Sequence, residues 1–203
     1  MLAPGLSKSA RRAQFTLWDK DIYERKNIDR QLFSQGYIGT PKAEVLNTLY
    51  FNDNAIVNLK WFTDTRIIES GAFLIGCPDN HEARLHILNT TDRIEGACLI
   101  AGNSDYTSEA FLYHHTWKDK PWDPRILYPE IANPVQSAAT SCTGEAVEQD
   151  TPQLAGANHM AASLLLWLFT QYKEKTIDSD LPISVKATEN GFIVTRRSDY
   201  HDA

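Results

Sequence analysis

Five short β-prone segments, separated by polar or helix-forming sequence, constrain the fold of this chain more than any other feature. They span residues 14–18, 55–62, 72–76, 97–101 and 110–114. Residues 40–49 and 80–89, which lie between these segments, carry apolar side chains at the spacing of an amphipathic helix. Apolar strands that alternate with helices indicate an α/β fold, in which a mostly parallel sheet is covered by helices on both faces.

The alternation stops after the fifth segment, and the rest of the chain follows a different pattern. Residues 115–153 are polar and rich in proline, which predicts a long crossover loop. Residues 154–172 have the apolar periodicity of a long helix, and the tail alternates on either side of Asn190-Gly191, a typical hairpin turn. We therefore expect a single domain over residues 1–203, with residues 154–203 forming a C-terminal helix and β-hairpin.

Charge and cysteine content exclude several functional classes. The net charge is −6, so we expect no nucleic-acid partner bound through phosphate neutralisation. The three cysteines, Cys77, Cys98 and Cys142, are an odd number without Cys-x-x-Cys spacing, which argues against a disulfide framework and a structural zinc site. No apolar segment approaches the roughly 18 residues of a membrane span, and Pro4 and Gly5 interrupt the place of a signal peptide. The sequence therefore predicts a cytoplasmic protein without a membrane segment.

Residues 19–42 combine the groups that a nucleoside triphosphate requires. A carboxylate, Asp19, follows a β-prone segment, where a ribose is met in dinucleotide-binding folds. An amide, a guanidinium and an ammonium follow, and such donors bind polyphosphates; they are Asn27, Arg30 and Lys42. Polar loops of this composition are common, so composition alone leaves this interpretation open.

The spacing is more specific, and it resembles the D-x-D-x-V-x-x-S-N-L-x-R-Q … G-x-x-K motif of the ThiF/MoeB family. This family includes the adenylation domains of ubiquitin-activating enzymes. The matching positions are Asp19, Asp21, Asn27, Arg30, Gln31, Gly39 and Lys42. Residues 75–84 are similar to a second family motif, D-x-x-D-N-x-x-x-R, through Asp79, Asn80 and Arg84. Its first aspartate is replaced here by Gly76 or Cys77, depending on the alignment.

The resemblance covers residues 1–115 well, and the later part resembles a plasmid- and defence-associated subgroup with a Ser-Cys pair in the late loop. It implies a Rossmann-like fold and a site for ATP and Mg²⁺. In that site Asp19 binds the ribose hydroxyls, and Asp79 holds Mg²⁺. Asn27 and Arg30 contact the phosphates, and Lys42 neutralises the polyphosphate. Further nucleotide-binding positions are Asp21, Gln31 and Asn80.

The implied reaction is adenylation of the C-terminal carboxylate of a ubiquitin-like or sulfur-carrier protein by a homodimeric enzyme. The alternative is a non-catalytic partner or scaffold subunit that keeps the fold without productive ATP binding. A dinucleotide-dependent oxidoreductase is a weaker third hypothesis, because the Arg30-Gln31 and Asp79-Asn80 motifs are not expected in one.

Two positions keep alternative interpretations. Asp79-Asn80 is also a typical helix N-cap, and a cap and a metal ligand can occur together. Arg84, one turn later, either orients the aspartate or faces solvent.

Cys142, in the crossover loop, is either a thioester or persulfide carrier, as in several family members, or a bystander. Glu145 and Glu148 are close in sequence and favour the thiol over the thiolate.

The family's first strand and Gly-x-Gly-x-x-Gly loop are expected before residues 2–7, which resemble the helix that follows that loop. The loop normally binds the phosphates through backbone N–H groups. We therefore expect that the chain is part of a longer protein, or that another polypeptide or a swapped segment supplies the missing strand. Without it, the strands at residues 14–18 and 72–76 would have unpaired edges, and the chain would be marginally stable.

Overall fold

The computed structural model describes residues 2–10, 13–28, 33–63, 65–103, 107–134, 155–177 and 179–200. The chain divides into two compact units, Met1–Thr65 and Arg66–Ala203. Each unit has its own sheet and its own buried side chains, and each is described by itself below. The expected organisation as one domain stays a prediction.

The first unit contains two helices and a two-stranded parallel sheet. Its elements are α1 (Leu2–Ser9), β1 (Thr16–Trp18), α2 (Lys42–Tyr50) and β2 (Ile56–Asn58), with short 3₁₀ turns at Arg25–Asn27 and Gln35–Tyr37. Strand β1 pairs with β2 from Thr16 to Trp18. The core includes Leu6, Val45 and Phe51. The β-prone segments at 14–18 and 55–62 thus form shorter strands than expected.

The second unit is built on a five-stranded sheet with the strand order β3-β4-β5-β6-β7. The strands are β3 (Phe73–Gly76), β4 (Ala97–Asn103), β5 (Ser108–His114), β6 (Pro182–Thr188) and β7 (Gly191–Arg196). The helices are α3 (His81–Arg93), α4 (Pro124–Leu127), α5 (Pro129–Ala132) and α6 (Ala155–Glu174). The predicted C-terminal helix and hairpin are therefore confirmed.

The α/β class is confirmed, whereas the expected predominance of parallel pairing is not found in the five-stranded sheet. Only β3 and β4 pair in parallel there, and the other three pairings are antiparallel. Strand β5 follows β4 after a connection from residue 104 to residue 107, which is too short for the crossover that a parallel pair requires. The sequence pattern located both strands but did not establish the direction of the second.

Helices cover both faces of this sheet, as predicted, and β5 shows how. Successive side chains of a strand point to opposite faces. The hydroxyl of Ser108 donates to the Ala157 carbonyl of α6 at 2.9 Å. On the opposite face, the Tyr113 hydroxyl donates to Asp92 of α3. The α6 side is apolar, with Leu165 and Leu168 fully buried, and burying each such side chain contributes about 1.5–3 kcal/mol.

The strands on either side of the predicted gap, β1 and β3, lie in different sheets. Among the described strands, each of them pairs with one neighbour only, so each has an unpaired edge. The missing strand between them stays a prediction. Within the described ranges, none of the helices combines the length and the apolarity of a membrane-crossing segment.

Candidate functional site

In the first unit, three of the predicted residues come together after β1, and we call Asp19, Asp21 and Lys42 the first-unit cluster. Asp19 follows the last residue of β1, and its backbone N–H donates to the Asn58 carbonyl at 3.2 Å. Its carboxylate accepts a hydrogen bond from the Asp21 backbone N–H at 2.8 Å. The cluster thus lies at the carboxyl end of a parallel strand, where ligands bind in open α/β sheets.

A short antiparallel contact brings Lys42 to this strand end. Ile22 forms a β-bridge with Pro41, and the Lys42 backbone N–H donates to the Asp21 carbonyl at 2.8 Å. The Lys42 ammonium then lies 3.1 Å from the Asp21 carboxylate oxygen Oδ2. The structure therefore joins residues that lie 21 positions apart in the sequence. Burial raises the pKa of Asp19, and the hydrogen bond from Asp21 opposes this rise.

Asn27 lies outside this cluster, and its side chain makes a hydrogen bond within its own turn. It is buried, with 3% exposure, at the end of a 3₁₀ turn. Its side-chain oxygen accepts a hydrogen bond from the Glu24 backbone N–H at 2.9 Å. A local structural role is therefore established for its oxygen, and its phosphate contact stays a prediction. Arg30 and Gln31 lie outside the described residues.

In the second unit, residues 77–80 connect β3 to α3, and we call this connection the Asp79 turn. Asn80 is the N-cap of α3, since its Oδ1 accepts a hydrogen bond from the Ala83 backbone N–H at 2.8 Å. Its Nδ2 donates to Asp79 Oδ1 at 3.1 Å. The Asp79 side chain is exposed at the carboxyl end of β3, beside the N-terminus of α3. The cap is thus formed by Asn80, and it leaves Asp79 accessible to a ligand.

Arg84 does not face solvent, which excludes one of the two alternatives that the sequence left for it. It is 1% exposed and is the largest of the fully buried side chains. Its Nη2 donates to the Pro78 carbonyl at 3.2 Å, and its Nη1 lies 3.1 Å from His81 Nδ1. The guanidinium therefore holds the backbone of the Asp79 turn from its buried side.

Glu109 is a buried carboxyl group that the sequence motifs did not indicate. It lies on the same face of the sheet as Tyr113, the face that α3 covers. Glu109 lies on β5 opposite Lys186 of β6 and is 5% exposed. The Tyr128 hydroxyl donates to its Oε1. Burial raises the pKa of Glu109, while the Tyr128 hydrogen bond and the charges of Lys186 and Arg84 oppose the rise. The only sequence signal was a single acid inside an otherwise apolar strand.

Gly76, at the end of β3, is one of the two residues, with Cys77, that can take the place of the first aspartate of the family motif. A Cβ atom built on Gly76 would lie 2.4 Å from Ile87 Cδ1 of α3. That separation is far below an ordinary contact distance, so a side chain here requires Ile87 to move. Glycine thus allows α3 to pack closely against the strand that carries the Asp79 turn.

A second polar network lies elsewhere in this unit and has a structural role. Arg125 Nη1 donates to Asp92 at 2.7 Å, and its Nη2 donates to Asp123 at 2.9 Å. Tyr113 joins them from β5, opposite Cys98 near the start of β4. The network therefore links α3, β5 and α4 near the amino end of β4.

The described cysteines differ in exposure. Cys77 is an exposed residue just after β3 and Cys98 is buried in β4. Burial of the thiol nevertheless raises the pKa of both, to about 11 for Cys77 and to about 12 for Cys98. A neutral thiol is a poor nucleophile, so Cys98 is unsuited to group transfer at neutral pH. Cys142 lies outside the described residues. In the part of the chain that the structure describes, no group of three or more His, Cys, Asp or Glu side chains is arranged around a metal position.

Fold and site geometry define a Rossmann-like α/β protein with acidic residues at the carboxyl ends of parallel strands. The model of the ThiF family matches residues 10–187. The chain belongs to the ThiF family, which confirms the resemblance that its motifs indicate.

Solved structures show the same fold at low sequence identity. E. coli MccB with AMPCPP and MccA superposes with a TM-score of 0.65 at 16% identity, over 97% of this chain and 59% of that one. E. coli MccB with ATP gives a TM-score of 0.60 at 18% identity, over 97% of this chain and 59% of that one. PaaA gives a TM-score of 0.59 at 16% identity, over 96% of this chain and 67% of that one. The chain thus spans about three-fifths of the MccB length. The comparison with curated proteins finds no match.

Proposed function

We propose that the protein binds Mg·ATP and adenylates the terminal carboxylate of a peptide or small carrier protein. One observation carries the proposal: the exposed Asp79 carboxylate lies at the carboxyl end of a parallel strand and beside a helix N-terminus. Anionic ligands bind at both kinds of position. Membership of the ThiF family supports it, as do the MccB structures with ATP and with MccA.

Each unit supplies side chains whose chemistry fits a part of Mg·ATP. Mg²⁺ sites in nucleotide-binding proteins use one or two carboxylates together with substrate phosphates, and Asp79 supplies such a carboxylate. When bound, Mg²⁺ neutralises charge on the polyphosphate. Asp19 binds the ribose hydroxyls, and Lys42, held by Asp21, neutralises the departing pyrophosphate. Asn27 and Arg30 contact the phosphates, and Gln31 and Asn80 are further nucleotide-binding residues.

The proposed reaction needs no general base. The substrate carboxylate is already ionised, and one of its oxygens attacks the α-phosphorus of ATP. The bond from that phosphorus to the bridging oxygen breaks, and pyrophosphate leaves as the acyl-adenylate forms. The protein contributes positioning and charge neutralisation, which are large effects in phosphoryl and nucleotidyl transfer.

More specific proposals follow from the resemblance. The substrate is a ubiquitin-like or sulfur-carrier protein tail. The Cys142 thiolate then attacks the acyl carbon of the adenylate, and AMP leaves as the thioester forms. The enzyme works in the cytoplasm as a homodimer. Helix α6 exposes Met160 and Trp167 at 37% and 38%, while its buried apolar side chains are Ala161, Leu164, Leu165 and Leu168. Light scattering should give twice the monomer mass at micromolar concentration, and a monomer would contradict the dimer.

A non-catalytic partner or scaffold subunit is the second candidate. The first aspartate of the family motif is replaced by Gly76 or Cys77, and the replacement at Gly76 favours this candidate, because an acid there would require Ile87 to move. A protein of this kind would keep the fold and fail to exchange pyrophosphate into ATP.

ATP–pyrophosphate exchange with Mg²⁺ and candidate peptide or carrier tails separates the two candidates. Exchange should require both Mg²⁺ and the tail, and Asp79→Ala should reduce it by about a hundredfold, the scale of losing a principal electrostatic stabiliser. Glu82→Gln is the matched control, since Glu82 is an exposed acid in the first turn of the same helix. Equal exchange by Asp79→Ala and wild type would refute the metal role of Asp79.

A further inference from the structure

We propose that Arg84 is a positioning residue for Asp79, which it fixes by holding the Pro78 carbonyl before that aspartate and the His81 side chain after it. The proposal rests on the proposed function, because it gives Asp79 a defined place relative to the nucleotide. The motif places an arginine after the aspartate, and the contacts of the Arg84 guanidinium supply the means by which it acts.

The two contacts of the guanidinium bracket Asp79 in the sequence. Nη2 donates to the carbonyl of Pro78, immediately before Asp79. That carbonyl belongs to the planar peptide group that also contains the Asp79 nitrogen and Cα, so fixing the oxygen fixes that plane. Nη1 reaches His81 Nδ1, at the first position of α3. The Asp79 backbone thus lies between two fixed points.

Charge compensation explains why such a buried cation is tolerated. A buried charge is strongly unfavourable unless it is paired and hydrogen-bonded. Glu109, on β5, interacts electrostatically with Arg84 and is itself buried. Tyr128, just before α5, donates to the Glu109 carboxylate and restrains it. The sheet and α5 therefore hold the anion that keeps the guanidinium under the Asp79 turn.

The exposed side of the turn is restrained more weakly. There Asp79 accepts one hydrogen bond from the adjacent Asn80 amide at 3.1 Å, in an exposed position. A functional side chain has to be held close to its productive geometry by its supporting shell. Because the outer contact is local and exposed, the buried Arg84 contacts are the ones that link Asp79 to the fold.

The test compares Arg84→Lys with Arg93→Lys in the full-length protein. Lysine keeps the positive charge beside Glu109 but lacks the planar fork that reaches both Pro78 and His81. Arg93 is an exposed residue in the last turn of the same helix and serves as the matched control. Circular dichroism and thermal unfolding establish that each variant is folded.

Two readouts follow for folded Arg84→Lys. Hydrogen exchange at the amides of Ala83 and residue 84, the turn amides that donate to Asn80 Oδ1 and to the Asn80 carbonyl, should be at least several-fold faster than in wild type, with the β4 amides unchanged. In pyrophosphate exchange, kcat should fall by about 10- to 100-fold, the usual effect of losing an orienting partner, with a much smaller change in KM for ATP. Arg93→Lys should change neither quantity.

Turn amides that exchange at the wild-type rate, together with an unchanged kcat, would overturn the proposal. A loss of kcat that is no larger than the fraction of unfolded variant would also overturn it. If Arg84→Lys does not fold, His81→Ala decides, since it removes one of the two contacts. Faster exchange of the turn amides supports the proposal in that variant, and native exchange rejects it. If wild-type protein shows no pyrophosphate exchange with any tail, the proposed function fails while the amide measurements still test the role of Arg84.

Discussion

The first-unit cluster and the Asp79 turn carry the two halves of one family motif set, yet different physical interactions hold them. In the first-unit cluster, Lys42 pairs with Asp21, whose side chain is 47% exposed. In the Asp79 turn, the residue before the exposed aspartate is held by a hydrogen bond from Arg84, which is 1% exposed. Exposed ion pairs contribute about 0–1 kcal/mol, whereas breaking a buried pair costs about 3–5 kcal/mol. Residues of one family motif set can therefore differ widely in their coupling to fold stability.

The largest expected effect on stability is that of Arg84→Met. Methionine removes the charge beside buried Glu109 and both contacts to the Asp79 turn, so unfolding should become easier by about 3–5 kcal/mol. Urea denaturation of the full-length protein measures the change. A loss of unfolding free energy below about 1 kcal/mol, which is the range of an exposed ion pair, would show that the two regions do not differ in their coupling to stability.

Gly76→Ala should have the next largest effect, a loss of about 1–3 kcal/mol from overpacking against Ile87. Gly36→Ala in the first unit is the matched control, because a Cβ there meets only Ser34 Oγ at 3.6 Å. Adding Ile87→Val, which removes the Cδ1 methyl, should recover part of the loss. A Gly76→Ala variant as stable as Gly36→Ala would show that α3 yields easily at this contact.

Glu109→Gln should change how stability depends on pH. The folded-state pKa of Glu109 is raised above its ordinary value of 4.5, so the folded protein binds more protons than the unfolded chain between these two values. The stability that Glu109 contributes is thus fully present below pH 4.5 and declines as the pH rises through the folded-state pKa. The glutamine variant should gain stability relative to wild type over that rise. Denaturation curves from about pH 4 to about pH 7.5 test the sign, and a relative loss over that rise would contradict it.

Lys42→Met should have the smallest effect on stability, within about 1 kcal/mol, because the Asp21 partner is exposed and screened by solvent. ATP affinity by calorimetry should nevertheless fall clearly, since Lys42 is proposed to neutralise phosphate charge. This combination would sharpen the comparison: the first-unit cluster matters for binding far more than for folding. A large stability loss with unchanged affinity would reverse it.

Much of the fold was predictable from the sequence because the relevant signals are local. The apolar period of residues 80–89 predicted α3, and the Asn80 cap marks its observed start. Asn190-Gly191 located the hairpin between β6 and β7. The motif spacing also assigned Asp19 and Lys42 to one site, and in the fold both belong to the first-unit cluster. Caps, turns and side-chain periodicity can be read from a sequence because they depend on residues a few positions apart.

Only the tertiary structure decided the directions of β5 and β6 and the environment of Arg84. Strand direction depends on which edge a segment joins, and a strand's own side-chain pattern is the same in either direction. The burial of Arg84 depends on Glu109, 25 positions away on another element, and on Tyr128 farther along. A motif can show that an arginine follows an aspartate. Whether that arginine faces water or supports the aspartate from within depends on a counter-charge that only the folded chain brings into place.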